Sequence, residues 1–384
     1  MKKKLAILIY SLASGGAERQ VSILLKELND IFDITLVLMN DTIFYDIPKD
    51  TKIIYLERSD PNESGIKKLL KLPLLGWRYK KILQDNHTDI SLSFMTRPNY
   101  VNIFSKLFGS KIKTIISERS HFSMQYSYPT LQSYINKKLV RLYNYADLIV
   151  TNSKGNARDL LENFSIKAKI KTIYNLIDIK KIETLQKEEI SIKKEKFTFV
   201  TIGRLDSGKN HKLLINAMQG IDANLWIIGE GKLRNDLEEY IDALNLQEKV
   251  FLLGRQENPY KILSKANCFV FGSNHEGFPN VLLEALACGL PIISTDCKSG
   301  PREIIAPKTN INDFLEDEVE FAEYGILVPV NNSKQLSNAM IKLFKNHSLY
   351  DKYTQQSIIR SNEYRKEVIV EKFVKEVMEI KCVE

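Results

Sequence analysis

Short apolar runs rich in β-branched and aromatic residues recur along this chain, each followed by a polar or glycine-bearing turn and a helical apolar pattern. The series occurs twice. In the first, the runs are Leu5–Tyr10, Ile34–Met39, Ile53–Leu56, Ile90–Phe94, Lys113–Ser117 and Asp147–Thr151, with helical segments between several of them. The second begins at Phe197 with FTFVTIG and continues through NLWIIG, KVFLLG, Cys268–Phe271 and a last strand over Gly325–Val330. Alternation of strand and helix predicts parallel sheets with helices on both faces, so the expected fold class is α/β with two Rossmann-like domains. Their expected limits are residues 1–178 and 197–365, joined by an exposed Lys- and Glu-rich linker over 179–196 and followed by a helical segment over 366–384. A length of 384 residues suits two such cores better than one.

Charge narrows the partners. The net charge of +8 calls for something anionic: nucleic acid, a phospholipid surface or a phosphorylated substrate. No zinc-finger or RNA-recognition signature accompanies it, so nucleic acid is not expected. The four cysteines, at 268, 288, 297 and 382, form no C-x-x-C pair, which argues for a reducing compartment and against a zinc site. MKKKLAILIY reads as a first strand rather than a signal peptide, and no stretch of about 18 apolar residues could span a bilayer. The expected location is cytoplasmic, with peripheral membrane attachment. Within Ser64–Gln84, Lys67, Lys68, Lys71, Arg78, Lys80 and Lys81 alternate with leucines, Trp77 and Tyr79, and Pro73 and Gly76 are expected to divide the segment into two helical pieces. Two readings stay open: a solvated helix packing its leucines on the core, or docking on an anionic membrane or a lipid pyrophosphate. Arg97, in FMTRPNY after a strand, is a further acceptor-side candidate because arginine binds phosphate bidentately.

The chemistry concentrates in Phe269–Asp296, where the order is strand, loop, helix, strand. Backbone amides over Gly277, Phe278, Pro279 (which has none), Asn280 and Val281 fall at a helix N-terminus, where unsatisfied N–H groups favour a phosphate. Glu276 and Glu284 flank that terminus. A carboxylate beside phosphate is repelled, so each is expected to accept hydrogen bonds from sugar hydroxyls, and the inference is a nucleotide-sugar site. The alternative makes Glu276 a solvated loop residue and Glu284 a charge complementing the helix dipole. Arg204 and Lys209 flank a strand-to-helix turn, where two cations can neutralise a leaving diphosphate. Gly229-Glu230-Gly231 and Gly254-Arg255 end neighbouring strands and are expected to border the base. Gly15 and Gly16 occupy the turn after the first strand, where backbone can approach a ligand.

These segments resemble a family. HEGFPNVLLEALACGLP is similar to the E-x7-E segment of retaining glycosyltransferases of the large GT4 family, and GGAER and GRL with the following KN match its other motifs, so the likeness covers nearly the whole chain. The resemblance implies the GT-B fold: two Rossmann-like domains facing across a cleft, the acceptor on the first, the nucleotide-sugar donor on the second, and a last helix returning to the first. It implies transfer with retention, with Gly15 and Gly16 facing the donor diphosphate, Glu276 orienting the donor sugar and Glu284 the ribose. In many relatives a histidine follows a Ser-Glu pair. Here ISERSHF places Arg119 there and His121 two residues on, and either could take the role. YNLID puts Leu176 where relatives have glycine. No D-x-D motif occurs, so metal independence and no cofactor are expected.

Within the family, IYSLASGGAER, VLMND, KLPLL, RPNY, NSKGN and GRLDSGKNH look like the Campylobacter-type transferases that extend a lipid-linked oligosaccharide with N-acetylgalactosamine, particularly those adding the second such residue. That likeness implies a UDP-N-acetylgalactosamine donor, an undecaprenyl-diphosphate-linked acceptor on the inner face of the plasma membrane, and a place in protein glycosylation. The alternatives are a lipopolysaccharide, O-antigen or capsule transferase using another UDP-hexose, and a UDP-sugar epimerase of the same fold. A nicotinamide oxidoreductase is disfavoured, because SLASGGAER lacks the G-x-G-x-x-G spacing.

Overall fold

In the computed structural model, which describes residues 2–58, 60, 62–190 and 195–379, the apolar runs of the first series lie side by side as one seven-stranded parallel sheet. Its strands are β1 (Lys3–Ile9), β2 (Phe32–Leu38), β3 (Lys52–Tyr55), β4 (Ile90–Phe94), β5 (Lys113–Glu118), β6 (Leu148–Thr151) and β7 (Ile170–Thr172), in the order β3-β2-β1-β4-β5-β6-β7. Leu5 to Ile9 are all buried, without the alternation of a one-sided sheet, because both faces are covered. On one face Leu5, Ile7 and Ile9 share a core with Val21, Leu24, Leu25 and Leu28 of helix Gly16–Leu28. On the other, Ala6 and Leu8 pack with Leu72, Leu75, Tyr79 and Leu83 of helix Leu72–Asp85.

The last helix, Lys366–Met378, joins the first of these faces through Ile369, Val370, Phe373 and Val377. Lys366 pairs with Glu27 at 2.7 Å and Glu376 with Lys171 at 2.9 Å. Each fully buried side chain of this kind contributes about 1.5–3 kcal/mol. The chain thus divides into one unit running to Leu176 and resuming at Lys366, and a second unit, Ile177–Arg365.

The second unit repeats the plan with β8 (Thr198–Ile202), β9 (Asn224–Ile228), β10 (Val250–Gly254), β11 (Cys268–Phe271), β12 (Ile292–Thr295), β13 (Glu320–Phe321) and β14 (Ile326–Val328), in the order β10-β9-β8-β11-β12-β14-β13. Only β13 runs antiparallel to its neighbour among the described strands.

Two local expectations need correction. The stretch expected as an exposed linker opens instead with helix Ile179–Leu185, capped by Asp178 and anchored by buried Ile182; Asn258 donates to the Leu185 carbonyl at 2.8 Å. One apolar anchor inside a Lys- and Glu-rich run leaves little periodicity to read. Gly76 does not break the basic segment, which divides at Lys71; a Cβ on Gly76 would lie 2.4 Å from Cβ of Phe104, so glycine lets two helices approach. Helix Ser333–Lys345 is capped by Asn332, whose side chain accepts from the Gln335 amide. The short edge strands β7 and β13 carry too few apolar residues to register as runs. Residues 191–194 of the linker, Cys382 and the end of the C-terminal segment lie outside the described residues.

Candidate active site

In a doubly wound sheet, ligands bind beyond the carboxyl ends of the strands, where the strand order reverses. In the second unit that point falls between β8 and β11, so the loops after these two strands must meet. They carry the GRLDSGKN turn and the SNHEGFPN loop. The turn is shaped by Asp206, whose Oδ1 accepts from the amides of Gly208 at 3.0 Å and Lys209 at 3.2 Å. Asn210 follows with φ 49°, a left-handed conformation that Asn tolerates, and its Nδ2 donates to Oδ1 of Asn274 (3.0 Å) and of Asn331 (2.8 Å). The Asn274 amide donates to the Gly208 carbonyl at 2.9 Å. Turn and loop are therefore fastened to each other.

That fastening brings together two residues 67 positions apart: Lys209 Nζ donates to Glu276 Oε1 at 2.5 Å, with Lys209 also over the Phe271 ring. Arg204 differs. Its side chain is largely exposed, with one contact to Asp206 at 3.2 Å, leaving the guanidinium facing solvent. Beside the turn, the GEG loop after β9 approaches so closely that a Cβ on Gly229 would lie 2.0 Å from the Gly203 carbonyl oxygen, and one on Gly231 2.5 Å from that of Leu205. The Gly229 amide donates to the Gly254 carbonyl at 2.9 Å, so the loops after β8, β9 and β10 form one surface, with Arg255 exposed beside it.

Glu276 is held from behind as well: its amide donates to the Lys298 carbonyl at 2.7 Å, and its carbonyl accepts from the Ser299 amide at 3.0 Å. Ser299 Oγ donates to the Gly277 carbonyl at 2.8 Å. Phe278 is buried with its ring 5.7 Å from that of Tyr364, so of this residue the backbone is what can meet a ligand. Helix Asn280–Ala287 then begins after Pro279 with no side-chain cap, so its N-terminus lies directly behind the Glu276 loop. Glu284 is buried on that helix, and with burial it helps push the Cys288 thiol up to about 12. Cys268 and Cys297 are likewise buried free thiols, held in the protonated form by burial.

In the first unit the order reverses between β1 and β4. Gly15 caps helix Gly16–Leu28 there, and a Cβ on it would lie 2.1 Å from Glu18 Oε2. After β4, Met95 adopts φ 74°, a strained conformation for a methionine, just ahead of Arg97. Arg97 pairs with Glu57 at 2.7 Å and lies over the Tyr10 ring. After β5, Arg119 lies over the Phe94 ring and donates to Asn175 Oδ1 at 2.5 Å, while its Nε is buried without a partner. Burial draws its pKa down to about 10, which leaves it cationic at neutral pH. His121 sits against Asp159 at 3.3 Å. Just ahead of them Glu118 is buried, its pKa raised by burial although it accepts from Tyr143 at 2.7 Å and from Ser120 and the Arg119 amide, each at 3.0 Å.

Of the basic segment, Lys67, Lys71, Trp77, Arg78 and Lys81 are exposed and Lys68 and Lys80 partly so. Lys81 lies 3.9 Å from the Trp77 ring centre, Lys80 donates to the Phe108 carbonyl at 2.7 Å, and Lys71 pairs with Glu63 at 2.5 Å. Buried Leu72, Leu75, Tyr79 and Leu83 pack on the core, as the first reading of the segment expects, and the basic side chains lie on the opposite, exposed face.

Sequence reading missed Asp206, His211, Asn175 and Glu118. Each lies within two residues of one that it singled out, and proximity in GRLD, KNH, YNLID and SER was the available signal. Among the described residues no group of three or more His, Cys, Asp or Glu could hold a metal ion, and no helix is long and apolar enough to cross a membrane.

Two doubly wound units, each with charged loops at its switch point, define a glycosyltransferase of the GT-B fold. Residues 14–181 match the model of Glycosyltransferase Family 4, and residues 183–360 that of Glycosyl transferases group 1. The chain belongs to glycosyltransferase family 4. It is 42% identical to the N-acetylgalactosamine-N,N'-diacetylbacillosaminyl-diphospho-undecaprenol 4-alpha-N-acetylgalactosaminyltransferase of Campylobacter jejuni, over 95% of this chain and 96% of the relative. Among solved structures, sucrose-phosphate synthase from Thermosynechococcus elongatus superposes with TM-score 0.81 at 17% identity, covering 98% of both chains. Anabaena HepE in complex with UDP superposes with TM-score 0.75 at 17% identity, covering 98% of this chain and 99% of that one. Both share the fold.

Proposed function

We propose that this protein transfers N-acetylgalactosamine, with retention, from UDP-N-acetylgalactosamine to an undecaprenyl-diphosphate-linked oligosaccharide destined for protein glycosylation. The observation that carries the reading is the 42% identity, over nearly all of both chains, to a transferase whose name states that donor sugar and that lipid carrier. The second unit holds the donor. Arg204, with its guanidinium toward solvent, and Lys209 neutralise the diphosphate, and the dipole at the N-terminus of helix Asn280–Ala287 adds to that charge stabilisation. Glu276 orients the donor sugar and Glu284 the ribose, while Gly229–Gly231 and Arg255 border the base. Lys209 sits between Glu276 and the phosphates, so one cation serves both.

The first unit holds the acceptor. There Arg119, half-buried and still cationic, has an unpartnered Nε suited to an anionic oxygen, while His121 is turned to Asp159, which supports Arg119 of the two candidates left open by the sequence. Arg97 receives the acceptor phosphates. In the reaction the bond between the anomeric carbon and the diphosphate oxygen breaks, and a bond to the acceptor hydroxyl forms on the same face. The hydroxyl proton passes to the departing phosphate oxygen, so neither a side-chain base nor a metal ion is required. Lys67, Lys68, Lys71, Trp77, Arg78, Lys80 and Lys81 hold the protein peripherally on the anionic inner face of the plasma membrane.

The test is transfer from a panel of labelled UDP-sugars, with EDTA present, to undecaprenyl-diphosphate acceptors bearing one and two sugars. Transfer of N-acetylgalactosamine alone is expected. Transfer of another hexose to lipopolysaccharide core, with none to these lipids, overturns the donor and pathway; loss of all transfer in EDTA, restored by a divalent ion, overturns metal independence.

A further inference from the structure

Between Glu63 and Asp147 the only carboxylates are Asp85, Asp89 and Glu118. Glu118 is buried, and Asp89 accepts from the Lys4 amide at 2.8 Å. The whole stretch Arg119–Ala146 lacks an acid but contains Lys137, Lys138 and Arg141, all exposed. Within it helix Leu131–Leu139 turns Ser133 and Asn136 inward, while Leu131 is 61% exposed, Tyr134 61%, and Tyr128, just before the helix, 75%. Leu131 and Tyr134 are three residues apart and so share a helix face, and Lys138, one turn on, lies 5.5 Å from the Tyr134 ring centre. Three large apolar side chains in water, with cations beside them and no acid among them, form a surface that a folded unit does not need for its own stability.

This surface adjoins the basic segment. A Cβ on Gly65, which opens helix Gly65–Leu70, would lie 2.2 Å from the side-chain oxygen of Gln132, so the two helices abut. We propose that Tyr128, Leu131 and Tyr134, with Lys137 and Lys138, are a second membrane-docking element, which inserts its apolar side chains at the headgroup level of an anionic bilayer. The inference rests on the reading of Lys67–Lys81 as a docking segment and adds a partner face to it. Tyrosine suits the interface because its ring is apolar and its hydroxyl wet, and lysine can extend past it to lipid phosphate. Two abutting elements fix the orientation of the first unit on the membrane, because binding of one raises the effective concentration of the other.

The test is flotation of the full chain with phosphatidylcholine vesicles, with and without phosphatidylglycerol, for wild type, L131S/Y134S, K137A/K138A and, as the reference, K67A/K71A. Wild type is expected to bind the mixed vesicles. K137A/K138A should weaken that binding about thirtyfold in low salt, from about 1 kcal/mol per lysine. L131S/Y134S should weaken it about tenfold or more, with the loss persisting in high salt, because apolar insertion is not screened. All six substituted side chains in the new element and the reference are at the surface, and unchanged melting temperatures verify the fold. Binding of both new-element variants equal to wild type, with K67A/K71A impaired, overturns this inference alone. No binding by wild type overturns the docking reading of the basic segment with it. Unchanged vesicle binding with a reduced sedimentation mass assigns the surface to a second copy of the chain and overturns the lipid assignment.

Discussion

Replacing Lys209 and Glu276 singly and together separates a structural ion pair from a working one. The side chains of Lys209 and Glu276 are 26% and 13% exposed, with 2.5 Å between Nζ and Oε1. At an effective dielectric constant near 20, charges about 4 Å apart attract by about 4 kcal/mol, and desolvating both groups cancels most of it, leaving about 1 kcal/mol net. Glu276→Gln or Lys209→Met should therefore lower the melting temperature of the second unit by only about 2–4 °C. The double variant should lose no more than the worse single one, because the shared contact is counted once. Transfer responds on a different scale. If Glu276 holds the sugar and Lys209 the diphosphate as charge develops, each single substitution should lower kcat about 10²–10³-fold, or about 2.7–4 kcal/mol. The assay is initial-rate transfer of labelled sugar beside thermal unfolding of the same preparations. Melting shifts of the expected size with transfer within about fivefold of wild type would make the pair merely structural and refute the site.

Three further outcomes follow from the geometry. Gly229→Ala should destabilise the second unit by several times the about 1 kcal/mol expected of Gly220→Ala: both glycines have positive φ, but the first Cβ would lie 2.0 Å from the Gly203 carbonyl oxygen, whereas nothing lies within 4 Å of the second; denaturant titration compares them. Burial, with Lys209 nearby, draws His211 down to about 4 in the folded state, so below its ordinary value near 6.5 the unfolded chain binds the extra proton and stability falls with falling pH. From pH 7.5 to pH 5 that amounts to about 2 kcal/mol, which H211N should lack in paired unfolding curves; comparing the two proteins cancels the raised Glu118, whose linkage has the opposite sign. Asn175→Ala should free Arg119 to change rotamer and lower transfer about tenfold with the melting temperature nearly unchanged, whereas a matching loss of both in a rate and melting series would make Asn175 only structural.

Much of the fold was legible because strands covered on both faces must be apolar throughout, and short runs such as LAILI and CFVF announce themselves without alternation. Legibility failed where one contact decides the structure: Ile182 alone anchors a helix in a run read as linker, and β7 and β13 owe their place to an existing edge. Charged candidates were legible as types but not as partners. Arg97 and His121 look alike in sequence as free functional groups, yet Glu57 and Asp159 engage them, and both acids lie far off in the chain.

The same limit explains why the site nevertheless emerged from motifs. A motif fixes a loop at the carboxyl end of one strand; the order of strands decides which loops meet. In the second unit β8 lies between β9 and β11, so the GRLDSGKN turn has the GEG loop on one side and SNHEGFPN on the other. Glycine at 229 and 231 is required by the first contact, where any Cβ strikes the turn's backbone, and the asparagine bridges of Asn210 and Asn274 fasten the second. Had β11 paired with β10 instead, Lys209 and Glu276 would stand on separate loops and each would be an ordinary surface charge. Spacing along the chain therefore locates the residues of this site, and the crossover that sets β11 beside β8 makes them act on one ligand.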